Sequence, residues 1–386
     1  MAMKTLFAEV RVFDGDRLLD GTYDVLADGP VIAAVEPGGT IDEPDARMVR
    51  HRGATLLPGL IDAHVHLRGI GDLEELARWG VTTALDMGSW PPALIGELRQ
   101  AGFTDVRSTG AGAIGPGSPL AKIPGRPADS IVTQPEDGRR YVAARVAEGV
   151  DYIKVIVDPP GRGGPDQATV AAIVQAAHEA RRIVVAHASN TGAVATAQAA
   201  GADVLTHAPL DAALDEAAVA EVVRSQRTSV PTLVMMEGVA ANAPVPGLDY
   251  RHARDSVAAL YRAGVPIVLG TDANQSPGVP ANVPYGESVH RELELLVGAG
   301  LTPAEALHAA TGAAADRFGL RDRGRIAAGL RADLLLVGDD PTTSITSTRS
   351  ILAVRLAGKA GTPGKAGPSG EAATSGGAGT PGEAGA

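Results

Sequence analysis

Cysteine is absent from the 386 residues. That excludes disulfides, thiolate nucleophiles and thiolate metal sites, and it suits a reducing compartment. Basic residues are outnumbered, 34 Lys and Arg against 45 Asp and Glu, for a net charge of −11. A polyanion such as nucleic acid is therefore disfavoured as a partner. No stretch approaches the roughly 20 uninterrupted apolar residues of a membrane span. The opening MAMKTLFAEVRVFDGD carries charges inside any would-be apolar core, so it does not read as a secretory signal. A soluble, cytoplasmic protein acting on a small molecule is the expectation, with a homo-oligomer left open. No Gly-x-Gly-x-x-Gly turn follows the early strands, which counts against a dinucleotide-binding open sheet.

Large apolar residues are missing from the segment 359–386, rich in Gly, Ala and Pro. Such a segment cannot bury enough surface to offset its ordering entropy. Gly361, Gly364, Gly367 and Gly370 fall at every third position, a collagen-like period that then breaks. The expectation is a flexible tail.

What is present between residues 57 and 321 is an alternation. Short apolar runs, GLIDAHVHL, VTTALDM, DVRSTGA, DYIKVIV, RIVVAHA, DVLTHAP, TSVPTLVMM and VPIVLGTDA, are separated by amphipathic helical patterns. Strands apolar on both faces alternating with helices indicate an α/β fold with a covered parallel sheet. Eight such units over roughly 250 residues match a closed (β/α)8 TIM barrel. The flanks, 1–56 and 322–358, carry short alternating strands instead. They are expected to pair into one small composite β-domain formed from both ends of the chain.

In such a barrel, function collects at the carboxyl ends of the strands. The first run, residues 57–67, ends in His64 and His66, two positions apart and so on one face of a strand. The fourth carries Lys154, the fifth ends in His187, the sixth in His207 and the eighth in Asp272. Singly, each has an ordinary reading. A strand-end histidine is usually a satisfied polar residue, a strand lysine snorkels, and an Asp after Gly-Thr caps a turn. As a set they point to a metal centre. Imidazole and carboxylate donors suit Zn, Mn, Fe, Co or Ni. Six groups exceed the needs of one four-coordinate ion and fit two.

An ammonium cannot ligate a metal, and beside two dications the Lys154 amine would lose its proton. The neutral amine can add carbon dioxide to give a carbamate, an anion able to bridge two ions. Two dications bring four positive charges. A carbamate, Asp272 and a bridging hydroxide remove three, and one remains to polarise a substrate carbonyl. The expected chemistry is hydrolysis of an amide C–N bond in an N-acyl amino acid, dipeptide or cyclic amide. Asp272 acts as general base and then general acid, and the hydroxide is the nucleophile. The alternatives on the same centre are lactone or ester hydrolysis and deamination. A barrel relative without catalysis, or a binding protein whose tail does the work, completes the set.

The stretches LPGLIDAHVHL, YIKVIV, VVAHAS, VLTHAP, VPTL, AGVPIVLGTDA, LTPAEALHAATGAAADRFGL and GRIAAGLRADLLLV together resemble the amidohydrolase superfamily, and within it the imidazolonepropionase-like and Xaa-Pro dipeptidase-like group. The resemblance runs from near residue 5 to about 358. It implies a metal-dependent barrel with a β-sandwich domain, a carboxylated Lys154, and ligands at His64, His66, His187, His207 and Asp272. The chain departs from the pattern after the fifth strand, where Ala188, Ser189 and Asn190 stand in place of Ala-His-Gly. Ser189, Asn190, Arg68 and Arg162 are the expected substrate contacts, the arginines for a carboxylate. His51, His178, His252, His290 and His308 lie away from strand ends and receive a structural reading.

Overall fold

The computed structural model describes residues 4–123, 125–159, 161–242, 246–362 and 364. Apart from these first positions, the Gly/Ala/Pro-rich segment lies outside the described residues.

Among the described residues, seven parallel strands carry the apolar runs, in two sheets. One orders Leu60–Val65, Val81–Asp86 and Asp105–Ser108. The other orders Ile153–Ile156, Val184–His187, Val204–Thr206 and Thr228–Val230. Single parallel bridges connect them: Ala113 to Val155 between the sheets, Ser229 to Ile267, and Ala273 back to Val65. Strands buried on both faces explain why these runs are continuously apolar rather than alternating. Leu60, Ile61, Val81, Val155 and Val184 are all fully buried.

Two of the expected strands differ from the pattern. The run TSVPTLVMM is strand only over Thr228–Val230, and Leu233–Asn242 is a helix. Pro231 and a left-handed Thr232 (φ 49°) break the strand, and the apolar residues that follow bury one helix instead. The run VPIVLGTDA forms no continuous strand and joins its neighbours through the bridges above.

The amphipathic segments are helices packed on the sheets. Several begin with the cap their sequence announces. Asp166 Oδ1 accepts from the Thr169 amide at 2.8 Å and Asp215 Oδ1 from the Ala218 amide at 2.8 Å, each satisfying an otherwise orphaned first-turn donor. Thr302 and Glu305 form a reciprocal capping box.

The flanking strands pair with one another. One sheet runs Lys359–Ala360, Ile351–Leu356, Leu334–Val337, Thr55–Pro58, Thr5–Val12, Tyr23–Asp28, Val31–Pro37, with Arg47–Val49 also beside Thr5–Val12. Leu334–Val337, late in the chain, is thus antiparallel to Thr55–Pro58, which leads directly into the first parallel strand at Leu60. Phe7, Val10, Val25, Ile32, Leu56 and Leu336 form the buried cluster beneath this sheet.

Candidate metal centre

The strand Leu60–Val65 delivers His64 and His66 to the same end as the segment bearing Asp272. His66 Nε2 stands 3.1 Å, and His64 Nε2 3.5 Å, from Asp272 Oδ1. One ligand atom from each of these three residues lies within 4.8 Å of the other two. His64 is fully buried. Among the described residues, neither of its ring nitrogens has a hydrogen-bond partner, and neither does Asp272 Oδ1. Buried polar atoms without partners are costly and uncommon. Two imidazoles and a carboxylate with ligand atoms turned toward one another are a donor set that suits a divalent cation.

A second pair meets next to the first. His187 ends the strand Val184–His187, and His207 directly follows Val204–Thr206. His207 Nε2 is 2.8 Å from His187 Nδ1. His207 Nδ1 lies 2.7 Å from Thr232 Oγ1 and 3.7 Å from Asp272 Oδ2, so Asp272 faces both groups. The His64 and His207 rings are 4.9 Å apart between centroids. Burial holds His64 and His207 well below the ordinary imidazole range, and His187 at about 3, so all three are neutral near pH 7. Neutral imidazoles are the ligating form.

Lys154 is 2% exposed, and its Nζ donates to Thr206 Oγ1 at 3.1 Å. Among the described residues no carboxylate lies within salt-bridge distance of it. Burial lowers the amine to about 7, against the opposing pull of Asp272 and Asp86. A large fraction of Lys154 is therefore neutral at physiological pH.

Three residues that strand-end reasoning passed over hold these groups in place. Asp62, fully buried, accepts at Oδ1 from the His64 amide (3.2 Å) and the Thr271 amide (3.0 Å), and at Oδ2 from the Thr271 hydroxyl (2.6 Å). It was visible in LIDAHVHL as a charge in an apolar run, on the face of His64 and His66. Asp86 closes Val81–Asp86 and accepts from the Leu67 amide, the Ser89 hydroxyl and the Ser108 hydroxyl. Thr232 lies in the short stretch VPTL, which nothing but the family resemblance marks. Asp272 itself has a left-handed backbone (φ 57°), an uncommon conformation outside glycine, pinned by its amide donating to His64 O at 2.8 Å.

The residues expected to contact substrate have the following partners. Arg68 Nη1 donates to Gln275 O (2.8 Å), Nη2 pairs with Asp72 Oδ1 (3.0 Å), and the guanidinium lies over the Tyr285 ring. It braces the loop after the first strand against the one after Asp272. Asn190 Oδ1 caps the helix Thr191–Ala199 through the Ala193 amide at 2.9 Å. Ser189 O accepts from the Leu210 amide. Arg162 is exposed in the loop after Ile153–Ile156. The remaining histidines take structural partners where they are bonded: His178 to Asp203, His252 to Leu210 O, His308 to Gly15 O, and His290 to Thr348 and Trp79 O.

The model of the amidohydrolase family matches residues 55–361, and the chain belongs to that family. It is an enzyme, a hydrolase acting on C–N bonds. It is 27% identical over 343 residues to an imidazolonepropionase of Salinispora tropica, across 81% of this chain and 85% of the relative. A solved Xaa-Pro dipeptidase with methionine bound in its active site shares the fold, with a TM-score of 0.80 and 22% identity over 92% of this chain and 99% of the other. The A. niger ochratoxinase does so too, with a TM-score of 0.77 and 22% identity over 93% and 96%. No helix among the described residues is long and apolar enough to cross a membrane.

Proposed function

We propose that this chain hydrolyses an amide C–N bond in a small molecule, an N-acyl amino acid, dipeptide or cyclic amide, at a centre for two divalent cations. The supporting observation is the convergence on Asp272. His64 and His66 meet Oδ1, and His207, paired with His187, faces Oδ2. His64, His66 and Asp272 would hold one cation, His187 and His207 the other, and Lys154 would reach both as its carbamate. Bound cations, zinc foremost, polarise a carbonyl and lower the pKa of water to about 7.

The chain's own residues do the rest. Among the described residues, Asp272 is the one carboxylate that meets histidines of both halves. It takes the proton of the attacking water and passes it to the leaving nitrogen, acting as base and then as acid. Lys154 enters as the neutral amine. Its nitrogen adds to carbon dioxide and loses one proton, leaving an anion. That accounts for a buried lysine without a carboxylate partner, which as an ammonium would be costly. The buried neutral imidazoles supply lone pairs and take up no proton near pH 7.

We further read residues 57–321 as the (β/α)8 barrel, and residues 1–56 with 322–358 as a β-domain made from both ends. The pairing of Leu334–Val337 with Thr55–Pro58 and the bridges linking the parallel sheets support this division.

The test is turnover of zinc-reconstituted protein, with bicarbonate, on a panel of N-acyl amino acids, dipeptides, cyclic amides, lactones and esters. Release of an amine from one amide class is expected. Turnover confined to lactones or esters, or no turnover anywhere, would overturn amide hydrolysis.

A further inference from the structure

We infer that Thr232 and Glu292 form a strut that orients His207, with Glu292 capping a helix so that the Thr232 hydroxyl is released to the imidazole. The inference rests on His207 being a cation ligand, as proposed above.

Thr232 immediately precedes the helix Leu233–Asn242. A threonine there ordinarily turns its hydroxyl onto the first-turn amides of its own helix. Here Thr232 Oγ1 lies instead 2.7 Å from His207 Nδ1. The first-turn amides would then be orphaned inside the protein. Glu292, on the neighbouring helix Glu287–Gly298, takes them over. Its Oε1 accepts from the Leu233 amide at 2.9 Å and its Oε2 from the Val234 amide at 2.7 Å. Both Glu292 and Thr232 are fully buried. A buried glutamate needs such partners, and a carboxylate at a helix N-terminus also meets the positive end of the helix dipole.

The backbone supports the same reading. Thr232 adopts φ 49°, the left-handed region that β-branched residues avoid. Backbone economy would place glycine or asparagine there. A threonine at such a position is explained by its hydroxyl. When Nε2 of His207 and Nδ1 of His187 both offer lone pairs to one cation, the ring proton of His207 must sit on Nδ1. Thr232 Oγ1 is placed to accept it. Partners of this kind fix the tautomer and ring orientation of a ligating histidine and are typically worth about 10- to 100-fold in metal affinity. Thr232 and Glu292 are positioning residues and touch no reacting atom.

The experiment compares Thr232→Ser, Thr232→Ala and Glu292→Gln in the full chain. Zinc binding is measured by equilibrium dialysis, and the His207 tautomer by nitrogen-15 NMR of the zinc-free protein. Alanine relieves the β-branched strain, so that variant is expected to fold. Thr232→Ala should weaken the second zinc equivalent about 10- to 100-fold, leave the first within a few fold, and change the His207 nitrogen shifts. Thr232→Ser should stay near wild type in both readouts. Glu292→Gln keeps one of two amide bonds and should fall between them. Wild-type affinity and an unchanged His207 spectrum in Thr232→Ala would overturn the strut. A wild-type protein that binds no zinc would overturn the metal-centre reading instead, and the His207 spectra would still decide the strut.

Discussion

Asp62 Oδ2 accepts the Thr271 hydroxyl at 2.6 Å, and its Oδ1 the Thr271 amide at 3.0 Å, across 209 residues of chain. One buried carboxylate thus fastens the strand that carries His64 and His66 to the segment that carries Asp272. That segment forms no continuous strand of its own. The Asp62 clamp adds to backbone bonds between the two segments, from the Ala63 amide to Leu269 O (3.0 Å), the Asp272 amide to His64 O (2.8 Å) and the His66 amide to Ala273 O (3.0 Å).

Replacing Asp62 by asparagine tests this clamp. The amide group accepts through one oxygen only, so at least one of three buried donors loses its partner. Each loss costs about 1–3 kcal/mol. A stability loss in that range by urea unfolding is expected, together with weaker zinc binding. Wild-type values for both would show that Asp272 is held by other means.

Asp272→Asn addresses the chemistry. Asparagine keeps the size of the side chain and removes its ability to exchange a proton. General acid–base groups contribute typically 10²–10⁴-fold, so kcat should fall by at least about 10²-fold with the thermal midpoint little changed. Wild-type-like turnover in this variant would remove Asp272 from the mechanism.

Lys154 carries a prediction readable without substrate. Protein reconstituted with zinc and carbon-13 bicarbonate should show a carbamate resonance that Lys154→Ala lacks. Acidification should abolish it, because protonating the amine removes the nucleophile that adds carbon dioxide. An identical spectrum in the two proteins would leave Lys154 as a buried amine beside Thr206 and no more.

The fold was legible where periodicity was strong. Continuous apolar runs such as DYIKVIV and RIVVAHA are strands because both faces are covered, and each charge within them stands out for that reason. The same rule failed at TSVPTLVMM. A short apolar run reads alike as a buried strand or a buried helix, and Pro231 with Thr232 decides between them. The clustered histidines were legible as strand-end outliers. Arg68 and Asn190 stand out in the sequence as substrate contacts, and the structure gives each a bond to a neighbouring loop or its own helix, which sequence alone does not reveal. Glu292 left no trace, and Thr232 stood only within the family-like stretch VPTL. Their pairing depends on two helices meeting in space, so that the Leu233 amide reaches Glu292, 59 residues along the chain.

His290 makes the acid limb of stability testable apart from the metal centre. Its ring lies between Thr348 Oγ1 at 2.9 Å and Trp79 O at 3.1 Å, fully buried. Burial, with the Arg349 charge adding to it, lowers His290 from the ordinary 6.5 to about 3. Between those values the unfolded chain binds a proton that the folded chain refuses. The His290 contribution is therefore complete above pH 6.5 and declines as pH falls toward 3, by up to about 1.4 kcal/mol per pH unit. His64, His187 and His207 titrate in the same direction, so the contribution must be isolated by difference in metal-free protein. His290→Asn removes the titration while keeping a hydrogen-bonding side chain. Unfolding free energies measured in urea at pH 7.5 and 5.5 should fall less in the variant than in the wild type. Equal losses would mean that His290 binds its proton alike in the folded and unfolded chains, and would overturn the lowering by burial.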